Sequence, residues 1–264
     1  MGAAEADEGV RVRRAGERAR TTTDWLQSRH SFSFGAHYDP LNTHFALLVA
    51  HNDDVVAAGT GYDTHPHRDM EIVTWVLEGA LVHRDSTGTS GVVGPGLAQR
   101  LSAGSGVLHS EHADGPRHVP GSGPPRATRF VQMWVLPDSS GGAPDYEQRD
   151  VTAELGRGEL VVLASGMPRY ADRRATSIRQ RDAALHAARQ PPGGSIALPR
   201  APSAHLYVAR GTIDLEGAGA LSAGDAARVT GADGQRIVAG ADGAEVLVWE
   251  MHATLADLGP SSAP

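Results

Sequence analysis

The sequence predicts an all-β protein made by repeating one antiparallel β-barrel, and three observations carry that prediction. Short apolar and β-branched runs recur along the chain, separated by Gly, Pro and polar turns. Glycine and proline are abundant, at 32 and 16 of 264 residues, as tight turns between short strands require. A strand–Gly–strand unit centred on Gly79 has an echo centred on Gly211, which reads as duplication of the barrel. The length suits one large or two small domains.

In chain order, residues 45–49 (FALLV) read as a short buried strand. Residues 71–77 (EIVTWVL) form a β-branched strand that ends at Glu78-Gly79 and resumes at 80–83, before the turn Asp85-Ser86-Thr87-Gly88. Residues 91–93, 99–102 and 106–109 are further pieces between glycines, and 130–136 (FVQMWVL) alternates up to Pro137. This spacing favours a barrel or sandwich over β-α-β units. The Pro/Gly/Ser-rich stretch 137–144 reads as a linker. Beyond it, 159–164, 195–198, 205–215, 228–230, 235–239 and 245–251 supply a second set of strands. Residues 180–190 (QRDAALHAARQ) alone have helical character, and read equally as a polar loop before Pro191-Pro192. Trp75, Trp134 and Trp249 fall within strands, where core packing is the default for an indole.

Composition removes several chemistries. A net charge of −7 disfavours direct nucleic-acid binding, because neutralising phosphates needs a basic surface. Without cysteine there is no disulfide, thiol nucleophile, iron–sulfur cluster or thiolate zinc site. Every basic residue is Arg, which excludes a Schiff-base lysine and a P-loop lysine. The GTGYDTH run lacks the G-x-G-x-x-G spacing of a dinucleotide site. No apolar run reaches membrane-spanning length and residues 1–9 lack the apolar segment of a signal peptide, so a cytoplasmic location without a membrane partner is expected. Residues 1–9 and 258–264 read as disordered tails. Histidine is what remains: 13 residues, ten of them from His30 to His118. Imidazole is both the commonest metal ligand and the usual acid or base near neutral pH.

The chemistry concentrates in GYDTHPHRDME, residues 61–71. Residues two apart in a strand share a face, so His65 and His67 aim together, and a regular continuation brings Glu71 alongside. His109-Ser110-Glu111 repeats the spacing. If both strands line one wall, three imidazoles and a carboxylate converge, a set that suits a borderline divalent transition metal with positions left open. One surface H-x-H usually means nothing, and His109 alone reads as a buried, hydrogen-bonded histidine. Two such pairs, each ending a strand after a Gly-rich turn, point to a metal. His83 reads as structural or rim, and His112 and His118 as solvated. Arg68 and Arg100 read as surface residues, or else as partners of Glu71 or of an anionic substrate.

The segment THPHRDMEIVTWVLEGALVHRDSTG, with the later LSAGSGVLHSE, resembles the pirin family of the cupin superfamily. WLQSRHSFSFGAHYDP and NDDVVAAGTGYDTHPH resemble the same family, especially bacterial members with quercetinase activity. The likeness runs from about residue 10 to 136 and continues more weakly through YEQRD (146–150) and the C-terminal strands. Gly59, His65, His67, Glu71 and Gly79 also follow the general cupin pattern; Ser102 departs from it, standing where many cupins have Pro.

The resemblance implies a bicupin, two antiparallel β-barrel (jelly-roll) domains, with one metal in the first. The expected division is 10–144 for the metal-binding domain and 145–257 for a metal-free one. Carried over, the ligands are His65, His67, His109 and Glu111. In many other cupins Glu71 would ligate; here it is expected behind the ligands, pairing with an Arg or orienting an imidazole. Counting back from Gly211 as from Gly79, the positions equivalent to His65, His67 and Glu71 are Ala197, Pro199 and Ser203, and none can hold a metal.

The expected activity is quercetin 2,3-dioxygenation, with iron(II) the favoured metal, flavonol and O₂ as substrates, and Glu111 as catalytic base. The alternative, also implied by the family, is a metal- and redox-responsive regulator acting through protein partners. A metal-dependent sugar or keto-acid isomerase fits a cupin fold but not these motifs. A monomer is expected.

Overall fold

The computed structural model describes residues 9–113 and 126–258, so His118 and most of both expected tails lie outside the described residues. Three sheets hold all twenty strands of the described residues. The strands are β1 (Gly9–Arg13), β2 (Ala19–Thr22), β3 (Leu26–His30), β4 (Leu48–Val56), β5 (Gly61–His67), β6 (Glu71–Glu78), β7 (Leu81–Asp85), β8 (Ser90–Val93), β9 (Leu97–Ser102) and β10 (Val107–His112). They continue as β11 (Thr128–Val135), β12 (Asp145–Asp150), β13 (Val161–Ser165), β14 (Thr176–Ser177), β15 (Ala183–Gln190), β16 (Ser195–Ala197), β17 (Ala201–Leu215), β18 (Gly219–Ser222), β19 (Ala226–Ala232) and β20 (Arg236–Met251). One helical turn, Thr152–Leu155, is the only α-helix among the described residues.

A seven-stranded sheet, ordered β12-β9-β6-β11-β4-β3-β2, and a four-stranded sheet, β5-β10-β7-β8, make the N-terminal half. The nine-stranded C-terminal sheet runs β1-β19-β17-β20-β15-β13-β14, with β16 and β18 attached at its side. Pairing crosses the division expected at residue 144: β12 hydrogen-bonds to β9, and β1 to β19. The Pro/Gly/Ser stretch therefore joins two strands of one sheet, and Gly9, expected in a tail, opens a strand.

Strand β6 explains how the halves meet. Its first seven residues are all buried, the signature of a strand covered on both faces. Val73, Trp75 and Leu77 join a core with Tyr207, Leu247 and Trp249 of the C-terminal sheet. The intervening Ile72 and Val76 pack instead with Leu101 and with Leu81 and Phe130, inside the N-terminal half. Strand β11 divides the same way: Val131, Met133 and Val135 face the C-terminal sheet, so Gln132 and Trp134 face inward. This period of two is what aims polar side chains at the site.

Three sequence readings are corrected. Residues 180–190 are not helical: all eight residues of β15 pair in register with β20, from Ala183↔Met251 to Gln190↔Ala244. Alanine's helix propensity yields to tertiary pairing, because small side chains at 183, 184, 187 and 188 accept the large neighbours of both sheet faces. The two pieces at 235–239 and 245–251 are one 16-residue strand, and the run 45–49 divides, Phe45 making only a bridge to Leu48, which with Val49 opens β4.

Buried histidines make the fold acid-sensitive. His51 and His205 face each other between the halves, ring centroids 4.9 Å apart, and burial holds both well below the usual imidazole range. His186 is lowered to about 3, again by burial, with Arg169 adding to it. Between these values and about 6.5 the unfolded chain binds more protons than the folded one. The stabilisation is therefore complete above about pH 6.5 and is lost as pH falls toward about 3. Asp54, raised to about 6 by burial, and Glu71, also pushed up by burial, oppose this. The urea midpoint of metal-free protein should drop clearly between about pH 7.5 and about pH 5; an unchanged midpoint would refute this account.

Candidate metal centre

The site is built where β5 and β10 pair. Their register sets His109 directly opposite His65 and Val107 opposite His67. A bulge follows, so Glu111 faces Tyr62 rather than Asp63. Asp63 is thereby turned out to solvent, fully exposed, while Tyr62 joins the cavity wall. Close approach here depends on Gly61, where a Cβ would stand 2.1 Å from the Glu111 carbonyl.

One nitrogen from each of His65, His67 and His109 lies within 4.8 Å of the others. Nε2 of His67 and of His109 are buried and have no hydrogen-bond partner. A buried polar atom left unpaired costs about 1–3 kcal/mol, so two side by side need a ligand to account for them. His65 has its Nδ1 2.7 Å from the Asp63 carbonyl, which makes that nitrogen the donor and leaves Nε2 with its lone pair. Burial, with the neighbouring imidazoles adding to it, lowers His67 to about 4 and His109 to about 3. Both are neutral at physiological pH, the state a metal requires. The donor set therefore fits a divalent transition metal.

Glu111 is 1% exposed and sits with His109 and His83 in a second, overlapping trio of potential ligands. Its carboxylate is held from both sides: Gln132 Nε2 donates to Oε2 at 2.7 Å and Gln99 Nε2 to Oε1 at 3.2 Å. Both amides are themselves oriented. The Trp134 indole N–H donates to Gln132 Oε1 at 3.0 Å, and the Tyr146 hydroxyl to Gln99 Oε1 at 2.9 Å. An indole can only donate, so Gln132 must present its NH₂ to Glu111.

A cavity of about 140 Å³ opens on this group, walled by Phe34, Asn52, Asp54, Tyr62, Gln132 and Trp134. Trp134, expected in the core, instead stands edge-on to His67 at 4.9 Å and to Phe34 at 5.3 Å. Asp54 accepts from the Tyr62 hydroxyl at 2.9 Å. Gln99, Gln132, Asp54 and Tyr146 escape sequence reasoning; Gln132 alone carried a signal, a polar residue within a largely apolar strand, whereas Asp54 and Tyr146 lie in strands rich in polar residues.

Glu71 does not continue the His65–His67 face. After His67 the chain turns at Asp69, whose φ of 46° is left-handed, and β6 starts in the other sheet. Glu71 is buried and accepts a hydrogen bond from Ser102 at 2.7 Å; burial pushes its carboxyl up. Arg100 is not at the surface: it is buried, reaches Ser102 at 3.2 Å, and pairs with Asp145 and Glu147. Arg68 is exposed and pairs with Asp69. His112 is partly exposed, 3.8 Å from Asp63. His83 is completely buried rather than at a rim.

Two stacked, almost wholly antiparallel β-units, with imidazoles converging in the first, define a two-domain cupin. Residues 10–135 match the family model Pirin, and residues 162–251 match that of the quercetinase C-terminal cupin domain. The chain belongs to the pirin family. A Mycobacterium tuberculosis protein provisionally named a quercetin 2,3-dioxygenase is 53% identical over 248 residues, 94% of this chain and 97% of that one. The quercetin 2,3-dioxygenase of Escherichia coli K12 is 43% identical over 151 residues, 56% of this chain and 61% of that one. The crystal structure of the E. coli bacterial pirin YhhW in complex with nickel(II) is similar with a TM-score of 0.78 and 30% identity, covering 92% of this chain and all of that one.

Proposed function

We propose that this protein is a metal-dependent dioxygenase that opens flavonols such as quercetin with O₂. His65, His67 and His109 anchor one divalent metal, with iron(II) favoured, and Glu111 is the adjustable fourth ligand. The observation that carries the reading is the pair of buried, unpartnered Nε2 atoms on His67 and His109 beside His65. The relatives named for quercetin dioxygenation supply the substrate class.

A divalent metal held there would act as a Lewis acid, lowering the pKa of a bound hydroxyl and supporting reaction with O₂. The protein's part is to bind, orient and move one proton. Phe34 and Trp134 offer aromatic edges to a flat substrate ring. Glu111 accepts the 3-hydroxyl proton on a carboxylate oxygen, while the Gln99 and Gln132 amides hold that carboxylate in place. At about 140 Å³ the cavity is smaller than the roughly 300 Å³ at which drug-sized ligand pockets begin. The central ring, which bears the 3-hydroxyl, therefore enters, and the two rings attached to it extend toward the mouth.

The test is oxygen uptake with quercetin, using protein stripped of metal and reloaded anaerobically with iron(II), nickel(II) or other divalent ions. A His65→Ala, His109→Ala double variant is the blank. Metal-dependent uptake with release of carbon monoxide, absent from the blank, is the expected result. Tight metal binding without uptake would overturn the dioxygenase and favour the regulatory reading.

A further inference from the structure

His83 is absent from the ligand set proposed above, yet it is completely buried and one strand away from His109. Strand β7 pairs with β10 so that Asp85 lies opposite His109 and His83 opposite Glu111. His83 Nε2 is 3.1 Å from Asp85 Oδ2, and both side chains are fully buried. On its other side, His83 Nδ1 is 3.4 Å from His109 Nδ1. His83 also stacks on Tyr146, ring centroids 4.5 Å apart at 24°, which fixes the plane of its ring.

With both imidazoles in the neutral form, these contacts leave one consistent assignment of protons. Asp85 Oδ1 is already taken by the Thr87 and Thr89 backbone N–H groups and the Thr87 hydroxyl. Oδ2 faces His83, and an ionised carboxylate only accepts, so His83 carries its proton on Nε2. His83 Nδ1 then holds a lone pair and accepts from His109 Nδ1–H. That puts the lone pair of His109 on Nε2, the nitrogen that is buried without a partner among His65 and His67. We infer that Asp85 and His83 are positioning residues that set the tautomer and ring orientation of His109 for metal binding. A metal-ligating imidazole commonly donates its other N–H to a carboxylate or carbonyl; here a second imidazole stands between ligand and carboxylate.

The inference rests on the metal site proposed above, and the test separates the two. Metal-free wild type, His83→Leu, His83→Asn and Asp85→Asn are titrated with cobalt(II) against a competing chelator, recording the visible bands of bound cobalt. His83→Leu removes the acceptor for His109 Nδ1–H and should weaken binding about 10- to 100-fold, with altered bands. His83→Asn offers an amide oxygen near the former Nδ1 and should recover most of the affinity and the wild-type bands. Asp85→Asn can donate to His83 Nε2 and so reverse its tautomer; it should weaken binding even if His83→Leu fails to fold.

Cobalt affinity unchanged in His83→Leu and Asp85→Asn would overturn the relay with the metal site intact. His83→Asn no better than a folded His83→Leu would make His83 a ligand or a packing group and overturn it too. Wild type that binds no cobalt would overturn the metal site itself, and the relay with it.

Discussion

Glu111→Ala is expected to lower quercetin-dependent oxygen uptake at least about a hundredfold, the lower end of what a positioned general base contributes. Three imidazoles remain, so metal should still bind, more weakly. The substitution removes the carboxylate to which both Gln99 and Gln132 donate. It leaves two buried amides to find other partners, a cost to stability of about 1–3 kcal/mol for each left unmet. Because loss of activity could follow from loss of metal, turnover should be expressed per bound metal. Full activity per metal in Glu111→Ala would remove Glu111 from proton transfer. Glu111→Gln separates the roles further, keeping the volume and one acceptor oxygen while losing the ability to take a proton at neutral pH.

Trp75→Ala is expected to destabilise the whole chain by about 3–5 kcal/mol, in the range for truncating a buried tryptophan. Trp75 is 0% exposed and sits in the core shared by the two halves, beside Leu247 and Trp249. Its indole N–H donates to Glu245 Oε1 across the interface at 2.7 Å. Glu245 keeps Arg189 at 2.9 Å in the variant, so the loss is chiefly one of packing. Trp75→Phe, which retains most of the volume, should cost far less. Because this core joins both sheets, urea unfolding should remain one transition, moved to lower denaturant. A Trp75→Ala cost under about 1 kcal/mol would contradict the packing described here.

Much of the architecture was legible because β-structure writes a simple pattern. Short β-branched runs ended by Gly or Pro marked β6, β11 and the two ends of β20, and the positive-φ turn at Gly79 stands where the sequence breaks between runs. The His65–His67 and His109–Glu111 pairs were visible because a period of two needs no tertiary information to place two side chains on one face. Residues 180–190 misled because alanine is at home in a helix and also fits a crowded sheet. Strand pairing across residue 144 could not be read, since a strand's partner is not encoded in its own composition.

The sequence by itself determined the class of fold, the half of the chain that holds the imidazole cluster, and which histidines share a face, because these follow from local periodicity and residue type. Only the tertiary structure decided that Glu71 is carried into another sheet by the turn at Asp69. It alone placed His83 and Asp85 behind His109, and Gln99 and Gln132 around Glu111. Those residues come from four strands in two sheets, and their meeting depends on register, on the bulge between His109 and Glu111, and on which face of β11 the C-terminal sheet covers. Register is a property of paired strands, and no single strand's sequence contains it.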